Sequence, residues 1–228
     1  MRRAPTWPRH AVMLLVSVLM LIPFYWVAKT SLTGENIYAY PPRILPQDPH
    51  LFNYVDVWYL IPFTRYLLNS AIVTAMAICG NLLFNTAAGY ALTRDFPGRR
   101  WVVLLLLSCM LIPFQATIIP AYLVTSWLGA LNTPLGIALP LLSKPASATN
   151  VILTFIWSWN SFMWPLIVTR TPEMQTLPLG LARFLSVLEN TTGALYAFVV
   201  MVLVPGLAIF LMAQKEFIRG LTSGATKG

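Results

Sequence analysis

Residues 144–170 read KPASATNVILTFIWSWNSFMWPLIVTR. A lysine opens the stretch, an arginine closes it, and nothing between them is ionisable. At ~1.5 Å of rise per residue, residues 145–169 as a helix are long enough to cross a hydrocarbon core of ~30 Å. The segment therefore reads as a membrane span. Its polar character is concentrated in Trp157, Ser158, Trp159 and Asn160, where a helix facing lipid would carry aliphatic side chains. That placement points to a path lined by protein or water.

The rest of the chain agrees. Of 228 residues, 57% are hydrophobic and 10% charged, and the mean hydropathy is +0.70, which leaves too little polar surface for a soluble globule. The expected fold is all-α, a polytopic transmembrane helical bundle in a single domain spanning residues 1–228. The net charge of +8 does not point to nucleic acid, because the basic residues flank apolar spans instead of gathering into one stripe. Membrane lipid is the partner that this composition implies. Cys79 and Cys109 each lie inside an apolar span and read as small packing residues, not as a disulfide. His10 and His50 have no neighbour at metal-ligand spacing, so no metal site is expected.

The first span covers residues 11–28, with Arg2, Arg3, Arg9 and His10 before it and Lys29 after it. It reads as a retained helix, since a signal-peptide core is shorter and no small-x-small site follows Trp26. Residues 30–64 carry Pro41, Pro42, Pro46 and Pro49 and suit an external loop better than a helix. The second span is 66–93, followed by the tight basic turn RDFPGRR at 94–100. The third, 101–123, runs through LIPFQATIIPAYL, where Pro113 and Pro120 are expected to kink it and free backbone carbonyls near Gln115. After an uncharged loop at 125–133 comes an apolar piece, 134–143, too short to cross. The fifth span is 145–169, and the sixth, 194–213, contains Pro205 and Gly206.

Basic residues stay on the cytoplasmic side of such spans. The N-terminal arginines, the 94–100 turn, Lys144 and the tail with Lys215, Arg219 and Lys227 are thus read as cytoplasmic, with both termini inside; the loops at 30–64, 125–133 and 171–193 face outward. Passing from the outward loop at Thr133 to inward Lys144 needs one crossing of ~20 residues, and about half of that length is present. Either part of the fourth span and the loop behind it has been lost, or the numbering runs across a gap. The second alternative is the expectation: a backbone break or an overlong separation near residues 139–144, since adjacent Cα atoms lie ~3.8 Å apart.

Six residues are candidates for the substrate path. Asn160 requires a partner or water, because an unpaired buried amide in hydrocarbon costs a few kcal/mol. Trp157 and Trp159 beside it line the path or pack as core or interfacial aromatics. Asn81 and Asn85 share one face of the second helix, and Gln115 lies between two prolines; hydrogen bonds between helices are their alternative role. The spans hold no Asp, Glu, His, Lys or Arg at depth, so neither an intramembrane enzyme nor a proton-coupled carrier is supported. The chain has no GxxxxGK[ST] phosphate loop either, so energy for transport must come from another subunit.

The stretch LPLLSKPASATNVILTFIWSWNSFMWPLIV, together with LIPFQATIIPAYL, TLPLGLARF at 176–184 and the terminal EFIRGLTSGATKG, resembles the inner-membrane permease subunit of bacterial ATP-binding-cassette importers for carbohydrates and glycerol phosphates. The resemblance implies a homologous second permease, two cytoplasmic ATPase subunits holding ATP and Mg, an extracytoplasmic solute-binding protein, and a multi-pass place in the bacterial inner membrane. It implies no cofactor in this chain and no catalysis by it. The preferred solute is glycerol-3-phosphate or a glycerophosphodiester, with a maltose-type or trehalose-type oligosaccharide as the alternative and a non-transporting membrane scaffold as the reading from another class. In the maltose-type permeases the C-terminus reaches the ATPase dimer, which marks Thr222, Lys227 and Gly228 as expected contacts. Family members also carry a cytoplasmic Glu-Ala-Ala loop with a following Gly between the fourth and fifth spans, and nothing between Leu139 and Pro145 matches it.

Overall fold

The structure, a computed structural model, describes residues 7–34, 40, 43–46, 49–142, 150–187 and 192–225. Ten α-helices account for most of them, and among the described residues the one pairing of extended backbone is an isolated bridge between Thr33 and Pro49. This all-α architecture is the one expected. Among the described residues three helices are long and apolar enough to cross a membrane: α1 (Trp7–Ser31), α3 (Phe63–Thr93) and the greater part of α10 (Thr192–Ala225).

The chain divides into two compact units. The first comprises Met1–Ile61 and Phe184–Leu203. Here α1 is apolar on every side and the whole of its apolar window is exposed, as befits a helix whose solvent is lipid. The proline-rich stretch beyond it, read as loop, contains a further helix, α2 (Phe52–Leu60). Asn53 fastens α2 to the end of α1 by donating its amide to the carbonyls of Ser31 at 2.9 Å and Thr33 at 3.0 Å. Phe184 and Phe198, both buried, meet at 5.3 Å between ring centres.

The second unit, Pro62–Arg183 with Val204–Gly228, holds the candidate site. It is organised on α3, whose buried stripe Tyr66, Asn69, Ser70, Val73, Thr74, Ala77 and Asn81 recurs at helical spacing. The helix opens at Phe63, three residues before the expected start, because Pro62 supplies a preset φ just ahead of it. A core of Val73, Ile137, Ala138, Trp164 and Val168 packs beside it.

Several expectations are corrected. The span read as 101–123 is two helices, α4 (Arg99–Leu111) and α5 (Phe114–Trp127), bent by 104° at Ile112 and Pro113. Proline removes a backbone donor and clashes with the preceding turn, so a break there follows. Pro120, by contrast, lies inside α5 without ending it. The fifth span is also divided: α7 (Asn150–Trp159) stops at Asn160, and α8 (Met163–Val168) resumes after an irregular link. The stretch after it, read as a loop, contains α9 (Leu177–Val187). Cys79 and Cys109, read as packing residues, are free thiols on the exposed surface of the chain.

Over Leu139–Leu142, the described part of the range where a break was expected, the backbone is continuous. From Pro134 the backbone runs on through α6 (Pro134–Ala138) and a 3-10 turn at Leu139–Leu141, and Leu142 N–H donates to the Leu139 carbonyl at 3.3 Å. Residues 143 and 144, the remainder of that expectation, lie outside the described residues.

Candidate functional site

The site is built around the short α6 segment. Thr133 caps it, its hydroxyl accepting from Gly136 N–H at 3.1 Å. Gly136 is required here, since a Cβ would overlap the carbonyl oxygen of Ala130. Deeper in, the indole N–H of Trp164 donates to the Gly136 carbonyl at 3.0 Å, and the Asn81 amide donates to the Leu141 carbonyl at 3.1 Å. Asn81 is fully buried, and it receives a hydrogen bond of 2.5 Å from the Asn85 amide. A helix of this length leaves its last carbonyls without partners of its own, and these side chains supply them.

Asn132 ties the two ends of the region together. Its backbone N–H donates to Val168 O at 2.8 Å, while its side-chain oxygen accepts from Arg170 N–H at 2.8 Å and Thr171 N–H at 3.1 Å. It holds a left-handed φ of 57°, which asparagine tolerates better than other side chains with a Cβ. A second clamp sits at the start of α3. Tyr66 donates to Gln175 Oε1 at 3.0 Å, Asn69 to the carbonyls of Glu173 and Gln175 at 2.7 and 2.9 Å, and Ser70 Oγ accepts from Leu177 N–H at 2.9 Å. Glu173 sits in this loop with its carboxyl held below the usual carboxylate range, first by its own backbone N–H, then by the Thr171 hydroxyl, with Arg65 and Arg183 adding to it.

Between these elements lies a cavity of about 190 Å³. Pro140 and Leu141 form one wall, Trp157, Ser161, Phe162, Met163 and Trp164 the other, and Phe114 of α5 closes it. Phe114 and Trp164 meet edge to face at 6.2 Å. No charged side chain is among the lining residues.

The six candidate path residues do not converge on this cavity. Trp157 lines it and is 44% exposed. Trp159 is buried and stacks on Phe155 at 5.2 Å. Asn160 is exposed, and its amide donates to the Ile156 carbonyl of its own helix at 2.8 Å. Gln115 is exposed on α5, whereas Asn81 and Asn85 hold the Leu141 wall from behind. Thr222 falls within α10, with its side chain outside the described residues; Lys227 and Gly228 lie outside them altogether. Sequence reasoning missed Trp164, Ser161, Phe114 and Asn132. A tryptophan preceding a proline in an apolar run and an asparagine preceding Thr-Pro were the signals available.

No family model matches the chain. It is 32% identical to the arabinooligosaccharide transport system permease AraQ of Halalkalibacterium halodurans, over 83% of this chain and 82% of that one. It is 27% identical to the melibiose/raffinose/stachyose import permease MelC of Bacillus subtilis over the whole of both chains. The sn-glycerol-3-phosphate transport permease UgpE of Brucella melitensis is 23% identical over 93% of this chain and 94% of its own. Among solved structures, a bacterial ABC transporter involved in the import of the acidic polysaccharide alginate matches with a TM-score of 0.80 at 18% identity, covering 94% of this chain and 99% of that one. That likeness shows the fold.

Proposed function

We propose a solute class from one premise: this chain belongs to the permease subunits of ATP-binding-cassette importers of the carbohydrate and glycerol-phosphate type. It is a multi-pass membrane component of a sugar importer and works by binding and alternating access, not by catalysis. The solute is a neutral oligosaccharide. A homologous second permease completes the path, an external binding protein delivers the sugar, and cytoplasmic ATPase subunits with ATP and Mg drive the cycle.

The observation that carries this reading is the lining of the cavity. Trp157, Phe162 and Trp164 offer flat apolar faces beside the Ser161 hydroxyl, and no cation accompanies them. Sugar rings present C–H faces that stack on such surfaces and hydroxyls that need a few placed polar groups. A phosphate ester would call for Arg, Lys or a cluster of backbone N–H donors instead. Trp157 is the contact residue in this account, and Asn81 acts through Leu141 as a positioning residue. Asn160 and Gln115 belong to the approach to the cavity.

Glycerol-3-phosphate is the second reading, favoured by the resemblance to the Brucella permease. Competition separates the two. In cells expressing the chain with its partners, unlabelled arabino- or galacto-oligosaccharide should suppress uptake of the labelled oligosaccharide while glycerol-3-phosphate does not. Accumulation of glycerol-3-phosphate without oligosaccharide uptake would overturn the assignment.

A further inference from the structure

We infer that the aromatic cavity takes one sugar ring at a time, and that Phe114 is the specificity-determining residue that sets this limit. The inference rests on the proposed carbohydrate solute and adds to it the size of the group admitted and the side chain that decides it.

The volume sets the scale. About 190 Å³ lies below the ~300–1,000 Å³ of pockets that enclose a drug-sized ligand. At the ~30 Å³ that each molecule takes in liquid water, it corresponds to about six waters. That is room for a pentose or hexose ring with its hydroxyls, and a second ring joined to it would not fit beside the first. An oligosaccharide therefore seats one terminal ring here, with the rest of its chain outside.

The walls differ in how firmly they are held. Trp164 and Leu141 are both buried; the indole N–H of Trp164 is tied to the Gly136 carbonyl, and the Leu141 carbonyl to Asn81. They make a fixed floor. Trp157, Phe162 and Met163 are exposed and form the rim, past which further rings can extend. Ser161 lies in the irregular link between α7 and α8, where its backbone N–H donates to the Ser158 carbonyl at 3.2 Å. Its hydroxyl makes no hydrogen bond to another described residue and is left to donate to, and accept from, a sugar hydroxyl.

Phe114 reaches the cavity from a different element. It is the first residue of α5, directly after the break at Ile112 and Pro113, and its half-buried ring meets Trp164 edge to face at 6.2 Å. Deleting that ring widens the cavity and leaves the bonds that hold Trp164 and Leu141 untouched. Phe114 thus limits the width of the ring admitted, while Ser161 and the tryptophans hold it.

A matched bump and hole tests this. In a background with Cys79→Ser and Cys109→Ser, Ser161→Cys serves as reporter, and its reaction with N-ethylmaleimide is timed in membranes carrying the chain with its partners. The probes are the methyl and benzyl glycosides of arabinose and galactose, with glycerol-3-phosphate as the anionic control. A methyl glycoside at about ten times its half-protecting concentration should slow the reaction ~10-fold. The corresponding benzyl glycoside at that concentration should leave the rate within ~2-fold of the unprotected one. Phe114→Ala deletes a ring of the size that the benzyl group adds, and should extend the ~10-fold slowing to the benzyl glycoside. Phe114→Leu should give an intermediate slowing and carries the test if the alanine variant does not accumulate. Benzyl glycosides that protect with Phe114 in place, or that protect in neither variant, overturn the size limit. No protection by any methyl glycoside overturns the subsite, and it leaves the solute reading standing where vesicles with Ser161 intact still accumulate labelled oligosaccharide. Protection by glycerol-3-phosphate and by no sugar overturns the solute reading together with the subsite.

Discussion

The side-chain amide of Asn81 donates to the backbone carbonyl of Leu141 at 3.1 Å, across sixty residues of sequence and in a position closed to solvent. This bond holds the 3-10 turn at Leu139–Leu141 against α3 and fixes one wall of the aromatic cavity.

Replacing Asn81 with Leu leaves the Leu141 carbonyl buried without that donor and removes the acceptor for Asn85. The expected loss is ~1–2 kcal/mol, within the range for an interhelical hydrogen bond in a membrane protein. It should appear as a lower thermal midpoint of the purified protein in detergent. Asn85→Leu, at a partly exposed site, should shift the midpoint less.

Gly136→Ala and Gly89→Ala make a matched pair. A methyl group at 136 collides with the backbone of Ala130, whereas at 89 it meets nothing within 4 Å. The first variant should be lost to proteolysis in the membrane. The second should accumulate normally, since alanine is the better helix former. Equal abundance of the two would contradict the packing described.

How far these features were legible in the sequence depends on the range of the interaction involved. Apolar length marked α1, α3 and the core of α10, and the prolines marked the break at Pro113, because hydropathy and proline geometry act locally. The shortness of the segment after Thr133 was equally plain. Its resolution was not: Asn81, Trp164 and Asn132 find their partners 28 to 60 residues away, and no periodicity reports such pairings. The interruption at Asn160 was invisible for a related reason. Residues 150–168 carry no ionisable side chain and read as one span, and what separates α7 from α8 is the local capping of α7 by the Asn160 amide together with the docking of Trp164 on α6.

Trp157 and Trp159 should separate by phenotype. Trp157→Ala removes a half-exposed ring from the cavity and should reduce oligosaccharide uptake while the protein accumulates and unfolds as before. Trp159→Ala removes a buried ring stacked on Phe155 and should destabilise by ~3–5 kcal/mol, as large-to-small core changes do. Unfolding midpoints and uptake rates measured on both variants check the division.

Acid should loosen the loop at Pro172–Met174. Because Glu173 in the folded state lies below the usual carboxylate range, its ionised form favours the folded loop above the unfolded value, and that contribution is lost as pH falls through the folded one. Protection of the amides at 172–177 against hydrogen exchange, relative to their intrinsic rates at each pH, should fall on acidification into that range. Glu173→Gln should abolish that fall in protection and leave protection elsewhere in the chain unchanged.

The central claim is tested most directly by reconstituting the chain with its second permease, ATPase and binding-protein partners in sealed vesicles and measuring labelled oligosaccharide inside them. The account predicts accumulation that requires ATP on the ATPase side, falls with Trp157→Ala and is absent when this chain is omitted. ATP-dependent accumulation that proceeds unchanged without this chain would contradict it.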